Sequence, residues 1–235
     1  MIINHKYKFI FLRTKKTAGT SLEIYLSQFC GKDDVISPDD WEAEKMKNEL
    51  GQKSRNYQLP FREYNLSDWK ILLRNFSRKN VRNKYYNHMS AEELKKNVPP
   101  EIWNNYYIFC FERNPFEKAV SAFHYHLRVH DLKIQYYPFK NFLNDHNYYR
   151  NFHRYSINDK VVINVFQYDK INETIYSLLK KFGIENAPKI PFAKAQDKKR
   201  NHYSSYYDAG TKKIVEQNCY NEIEQFGYLF HELKN

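Results

Sequence analysis

Apolar positions in this chain fall into two kinds of run. A continuous run at residues 7–12 (YKFIFL) predicts a short buried strand, and those at 106–111 (YYIFCF) and 161–166 (VVINVF) predict two further strands. Other stretches space their apolar residues as a helix does. Leu22, Tyr25, Leu26 and Phe29 recur at i, i+3, i+4 and i+7, and Thr20 and Glu23 stand at capping-box spacing before them. Phe116, Val120, Phe123 and Leu127 mark a second helical face, which Pro115 can open from its first turn. Residues 90–96 (SAEELKK) predict a capped short helix ending before Pro99 and Pro100. Residues 171–182 predict a helix stopped at Gly183, and residues 210–228 a final helix running into FGYLF. Strands alternating with amphipathic helices predict one α/β domain over residues 1–235, with a mostly parallel central sheet flanked by helices. Residues 30–80 are polar and interrupted by Pro38 and Pro60, and are expected to form a variable, acceptor-side insertion with short helices.

Composition narrows the classes. A chain of 235 residues supports one substantial core. Aromatic residues make up 17% of it, too many for a disordered protein. No run approaches the about twenty apolar residues of a membrane span, and the MIINHKYKFIFL start lacks the features of a secretory signal. Cys30, Cys110 and Cys219 are widely spaced and odd in number, which offers neither a disulfide framework nor a metal quartet and fits a reducing cytoplasm. The formal charge of +11 admits an anionic cofactor, an acidic polymer or nucleic acid as partner. Residues 70–84 hold six Lys or Arg and no acid, yet no nucleic-acid-reading signature accompanies them.

Candidate chemistry sits where the first strand ends. RTKKTAGTS, residues 13–21, brings Lys15, Lys16, Thr17, Gly19, Thr20 and Ser21 to the start of a helix. Backbone N–H groups there favour a phosphate, and ligands of open α/β sheets gather beyond the strands' C-terminal ends. The pattern is not the G-x-x-x-x-G-K-[ST] loop of nucleotide triphosphatases, because Gly19 follows Lys16 and no earlier glycine exists. The second strand delivers Arg113, with Ser121 eight residues on. An arginine fork and a hydroxyl suit a second phosphate. Taken alone, Arg113 reads more readily as the ion-pair partner of a residue such as Glu112 or Glu117.

KTAGTS after one strand and RNPFEKAVSAF after another resemble the sulfotransferases that use 3'-phosphoadenosine 5'-phosphosulfate, closest to their carbohydrate branch of heparan and chondroitin type. The resemblance extends through VINVFQYDKINE at 162–173 and HYSSYYD at 202–208 to IEQFGYLF at 223–230. It implies a three-layer fold like that of the P-loop nucleotide triphosphatases. It also implies that Lys15, Lys16, Thr17, Gly19, Thr20 and Ser21 hold the 5'-phosphosulfate, while Arg113 and Ser121 hold the 3'-phosphate. The stretch 196–207 resembles a late basic loop that closes over the nucleotide, which implies a further contact to the 3'-phosphate from Arg200 or, as alternatives, from Lys198 and Lys199. The family usually has proline before the key lysine, where this chain has Lys15.

Sulfuryl transfer needs a base for the acceptor hydroxyl. His88, in YYNHMSAEEL, resembles the family's acceptor-side histidine, and an ordinary imidazole pKa of about 6.5 suits the task. His124, His126 and His130 are alternatives, and Glu23 and Glu112 weaker ones. The implied function is transfer of a sulfuryl group to a hydroxyl of a glycan or other hydroxylated acceptor, with Lys16 stabilising the leaving phosphate and no metal required. A nucleotide-dependent kinase and a non-catalytic basic module for an acidic polymer are the alternatives. A cytoplasmic location is expected.

Overall fold

The computed structural model describes residues 1–147, 149–188 and 201–232. Strand β1 (Ile2–Asn4) turns through residues 5–8 into β2 (Phe9–Phe11), and helix α1 (Gly19–Ser27) follows the first loop. The expected insertion holds strand β3 (Val35–Ile36) and helices α2 (Trp41–Glu49) and α3 (Leu66–Asn75). Helices α4 (Ala91–Asn97) and α5 (Pro100–Asn105) lead to β4 (Tyr107–Glu112) and the long α6 (Pro115–Val129). Next come α7 (Phe139–Asp145), α8 (Phe152–Tyr155), the hairpin β5 (Ser156–Ile157) and β6 (Lys160–Val161), β7 (Asn164–Gln167) and α9 (Ile171–Lys181). The described chain closes with α10 (Ala209–Asn218) and α11 (Tyr220–Phe226).

The main sheet has the order β3-β1-β2-β4-β7 and is mixed, which corrects the expectation of a mostly parallel one. Strands β2, β4 and β7 pair in parallel, whereas β1 runs antiparallel to both β2 and β3. The cause is the brevity of the β1–β2 connection, since a parallel pair needs a crossover of a dozen or so residues. Asn4 Oδ1 accepts the Tyr7 N–H at 2.8 Å and Lys8 turns at a φ of 51°, which reverses the chain at once. The three-residue strand β1 is too short to show a period of its own, and β3 draws part of the expected insertion into the sheet.

Alternation within the strands buries both faces. Phe9, Phe11, Phe109 and Phe111 point to the side covered by Leu22, Tyr25 and Leu26 of α1 and Ile175, Leu178 and Leu179 of α9. Ile10, Leu12, Ile108 and Cys110 point to the other, with Leu94 of α4 and Tyr155 of α8. A third cluster joins α6, α7 and α10 through Phe116, Phe123, Phe142 and Val215. Cys30, Cys110 and Cys219 are free thiols, each buried in a different cluster. Among the described residues no helix is long and apolar enough to cross a membrane.

Three expected boundaries differ. The run at 161–166 splits into β6 and β7, because its first part closes a hairpin with β5. The final helix is two helices, interrupted where Cys219 leaves helical dihedrals at φ −118° and ψ 27°. Helix α1 has Ala18 as its N-cap residue with no side-chain cap, so Thr20 and Glu23 form no capping box. Thr20 Oγ1 instead accepts from the Arg13 guanidinium at 2.6 Å, and Glu23 is buried against Lys47 Nζ at 2.9 Å and the Met1 amino group. By contrast Ser90 and Glu93 do form a capping box at the start of α4.

Phe109 sits at the centre of the parallel strands, with the rings of Phe9, Phe11, Tyr107, Phe111, Phe166 and Phe182 between 5.5 and 6.5 Å away. Its replacement in Phe109→Ala is expected to cost about 3–5 kcal/mol in denaturant unfolding. A loss below about 1 kcal/mol would contradict a rigid aromatic core here.

Candidate functional site

Strands β2 and β4 are parallel neighbours, with Phe11 opposite Phe109, so the loops that follow them leave the sheet side by side. Thr14 ties them together, since its hydroxyl donates to the carbonyl of Phe111. The Thr17 hydroxyl is also turned inward, 2.9 Å from Thr14 Oγ1 and 3.2 Å from the Thr14 carbonyl. Thr17 and Ser21 are buried, so they shape the loop from beneath, while Lys15, Lys16 and Thr20 are half-buried.

The loop backbone is unusual. Lys16 and Ala18 both stand in the left-handed region, at φ 62° and 55°, which costs a residue with a Cβ roughly 1–2 kcal/mol. Successive N–H groups around such turns form anion-binding concavities, and here they lead into a helix N-terminus without a side-chain cap. Gly19 is held for a second reason. A Cβ there would stand 2.5 Å from Cγ of Arg13, whose side chain crosses above it. Arg13 continues to Asp39, whose carboxyl burial would push up but the guanidinium charge and hydrogen bonds hold below the ordinary carboxylate range.

The partners of the lysines differ. Burial lowers the pKa of Lys15, and the Arg154 charge lowers it further. Lys16 Nζ lies 4.4 Å from the centre of the Tyr125 ring, which also faces the Arg128 guanidinium at 5.5 Å. Tyr125 is one helical turn beyond Ser121 on α6, so this contact brings the first loop to the face of α6 that carries Ser121.

At the second loop, Arg113 Nε and Nη2 donate to Glu117 Oε2 at 3.1 and 3.0 Å, and the guanidinium lies over the Tyr168 ring at 4.7 Å. The ion pair with Glu117 is therefore present, and an anion binding to Arg113 has to compete with it. Ser121 is half-buried at the edge of the α6 stripe formed by Phe116, Val120 and Phe123. Arg200, Lys198 and Lys199 lie outside the described residues. Tyr203 is buried among Phe230 and Tyr207, and its hydroxyl oxygen accepts the His231 N–H at 2.6 Å.

His88 adjoins the first loop. Its Nδ1 is 3.0 Å from the carbonyl of Arg13, so that nitrogen carries the proton and Nε2 holds the lone pair. Arg154 donates to the carbonyl of His88. Burial pushes the imidazole pKa down to about 3, with the charges of Arg13, Arg154 and Lys15 adding to the shift. The ring is withdrawn from water and three cations stand near it.

The weaker base candidates are used structurally. Glu23 and Glu112 are both fully buried and ion-paired, Glu23 to Lys47 and Glu112 to Lys118 at 2.6 Å. His124 Nε2 is 2.9 Å from the Tyr206 hydroxyl. His126 packs against His130 and His146 with ring centres 4.4 Å apart.

Sequence reasoning missed Arg13, Arg154 and Asn151. Arg13 is the first residue of RTKKTAGTS, and its charge was a usable signal. Asn151 lies in an asparagine-rich stretch without periodicity, and only the fold brings it to Lys15, whose N–H and carbonyl it meets at 3.0 and 2.9 Å.

Over 102 residues the chain is 31% identical to an uncharacterized protein of Archaeoglobus fulgidus, an alignment that covers 41% of this chain and 83% of the archaeal one. No family model matches the chain, and no solved structure does.

The depressed His88 pKa has a consequence for stability. As pH falls below about 6.5 the unfolded chain takes up this proton first, so stability present above that pH is lost as pH falls towards about 3. The denaturation midpoint of the wild type is expected to drop more steeply than that of His88→Gln between about pH 7 and about pH 5. His126 and His153, also depressed by burial, act with the same sign in both proteins and cancel from the comparison. Parallel pH profiles would contradict a buried, neutral His88.

Proposed function

The chain belongs to the family of the Archaeoglobus fulgidus protein, and we propose that it is a sulfotransferase that uses 3'-phosphoadenosine 5'-phosphosulfate to sulfate a hydroxyl of a carbohydrate-like acceptor. The observation that carries this reading is the pairing of two loops at the same end of adjacent parallel strands. One is an uncapped helix N-terminus preceded by left-handed Lys16 and Ala18, and the other carries Arg113 ahead of the Ser121 face of α6. A ligand with two separated phosphate groups suits such a pair better than a single triphosphate chain does.

The residues fit that ligand in kind. The N–H groups at the start of α1 take the 5'-phosphate oxygens, and Thr20 retains its hydroxyl hydrogen for one of them because its oxygen accepts from Arg13. Gly19 serves the site through Arg13, since the space above it is already filled. Arg113 exchanges Glu117 for the 3'-phosphate, a divalent partner in place of a monovalent one, and Ser121 adds a hydroxyl.

The donor supplies a sulfuryl group on a phosphate leaving group. His88 Nε2 accepts the proton of the acceptor hydroxyl while that oxygen bonds to sulfur and the bond from sulfur to the phosphate oxygen breaks. Lys16 stabilises the charge left on that phosphate oxygen. A pKa of about 3 makes His88 a weak base in the free protein. An anion placed near Lys15 and Arg154 offsets two of the charges that depress it, which ties the strength of the base to occupancy of the donor site. Tyrosine faces and basic side chains suit a glycan acceptor.

Calorimetric titration with adenosine 3',5'-bisphosphate, ADP and ATP tests the reading. Selective binding of the bisphosphate is expected, weakened about tenfold or more in Arg113→Ala, the scale of one charge-assisted hydrogen bond. Preference for ATP would overturn the reading in favour of a kinase, and no nucleotide binding by folded protein would favour a basic module.

A further inference from the structure

A buried amide joins the two loops. Asn151 is fully buried, 136 residues from Lys15 in the chain, and its side chain takes both backbone polar groups of that residue. Its Oδ1 accepts the Lys15 N–H at 3.0 Å and its Nδ2 donates to the Lys15 carbonyl at 2.9 Å. Nδ2 also donates to Glu112 Oε1 at 3.3 Å. The same carboxylate oxygen accepts the backbone N–H of Arg113 at 2.8 Å and Lys118 Nζ at 2.6 Å. One carboxylate oxygen is thus bonded to the backbone at Arg113 and, through one amide, to the backbone at Lys15.

We propose that Asn151, oriented by Glu112, is the positioning residue that holds the Lys15–Lys16 loop in its anion-binding shape and fixes it relative to Arg113; this rests on the donor-site reading above. The chemistry demanded of the side chain is narrow. It must offer one acceptor and two donors at once, in a space closed to water. An aspartate would set a carboxylate against both Glu112 and the Lys15 carbonyl, and a glutamine is one methylene too long for the gap. The grip on both polar groups of Lys15 sets the plane of the peptide that leads into left-handed Lys16. A hydrogen-bonded clamp on the preceding residue supports that conformation against its intrinsic cost. Asn151 touches neither reacting group, so it acts through the loop alone. Its own backbone N–H is fixed by Glu222 Oε1 at 2.9 Å, which anchors the clamp to α11.

The test compares two ligands that share the 3' end. Adenosine 3',5'-bisphosphate uses both loops, whereas adenosine 3'-monophosphate uses only the Arg113 loop. In Asn151→Ala the affinity for the bisphosphate is expected to fall about tenfold, with the monophosphate affinity changed less than about twofold. Amide exchange at residues 15–17 is expected to accelerate in the same variant. Equal losses for both ligands, or an unchanged bisphosphate affinity with unchanged exchange, would overturn the assignment. If Asn151→Ala does not fold, Asn151→Ser, which cannot span to both Lys15 groups, is measured in the same way. Failure of the wild-type protein to distinguish the two ligands would sink the donor-site reading instead. The clamp then stands or falls on the exchange at 15–17.

Discussion

The carboxylate of Glu112 is fully buried at the C-terminal end of β4, and the arrangement of the candidate site depends on how it is satisfied. Oε1 accepts from Lys118, the Arg113 N–H and Asn151, Oε2 accepts from the Tyr155 hydroxyl at 2.9 Å, and its backbone carbonyl accepts from the Tyr228 hydroxyl at 3.0 Å. Burial of Lys118 would lower its pKa, but the neighbouring Glu112 and Glu222 outweigh that and raise it, so the ammonium persists. Burial and the same carboxylates drive the Tyr155 phenol far up, which keeps it a donor. A buried charge with this many partners avoids the several kcal/mol cost of an unpaired one. Its partners come from the loop after β4, from α6 and α8, and from the segments around Asn151 and Tyr228, which makes the network a joint between elements distant in sequence.

A second charge network shapes the first loop from the side of α1 and α2. Glu23 is buried between Lys47, the Met1 amino group and the edge of Arg13, 3.9 Å away. Arg13 reaches from there across Gly19 to Thr20 and Asp39, and its carbonyl holds Nδ1 of His88. The same residue therefore sets the position of the candidate base and closes the space above the only glycine of the loop. Burial depresses the proton affinity of His88 in the free protein, the positive charge crowded around it adds to the effect, and any anion drawn to that charge works in the opposite direction.

Much of the fold was legible in the sequence because both faces of the central strands are covered, and continuous apolar runs mark such strands. YYIFCF became β4 with a shift of one residue, α1 and α6 followed their apolar spacing, and α9 formed within the expected 171–182. The mixed order of the sheet was not legible, because β1 and β3 have three and two residues and carry no period. The capping box expected at Thr20 and Glu23 failed because a hydrogen bond from Arg13 claimed Thr20 and ion pairs with Lys47 and the Met1 amino group claimed Glu23. The two loops were legible as local motifs, whereas Asn151 and Arg154 reach the site only through long-range packing that no spacing announces. Arg200 falls outside the described residues.

In the proposed function two neighbouring loops hold the two phosphate groups of one nucleotide. A crystal structure of the protein soaked with adenosine 3',5'-bisphosphate tests it most directly. The 5'-phosphate is expected on the N–H groups that begin α1, beside Lys16, and the 3'-phosphate on Arg113 and Ser121, with Glu117 displaced from the guanidinium. A nucleotide bound elsewhere, or bound with Arg113 still paired to Glu117 and no phosphate at Ser121, would contradict it.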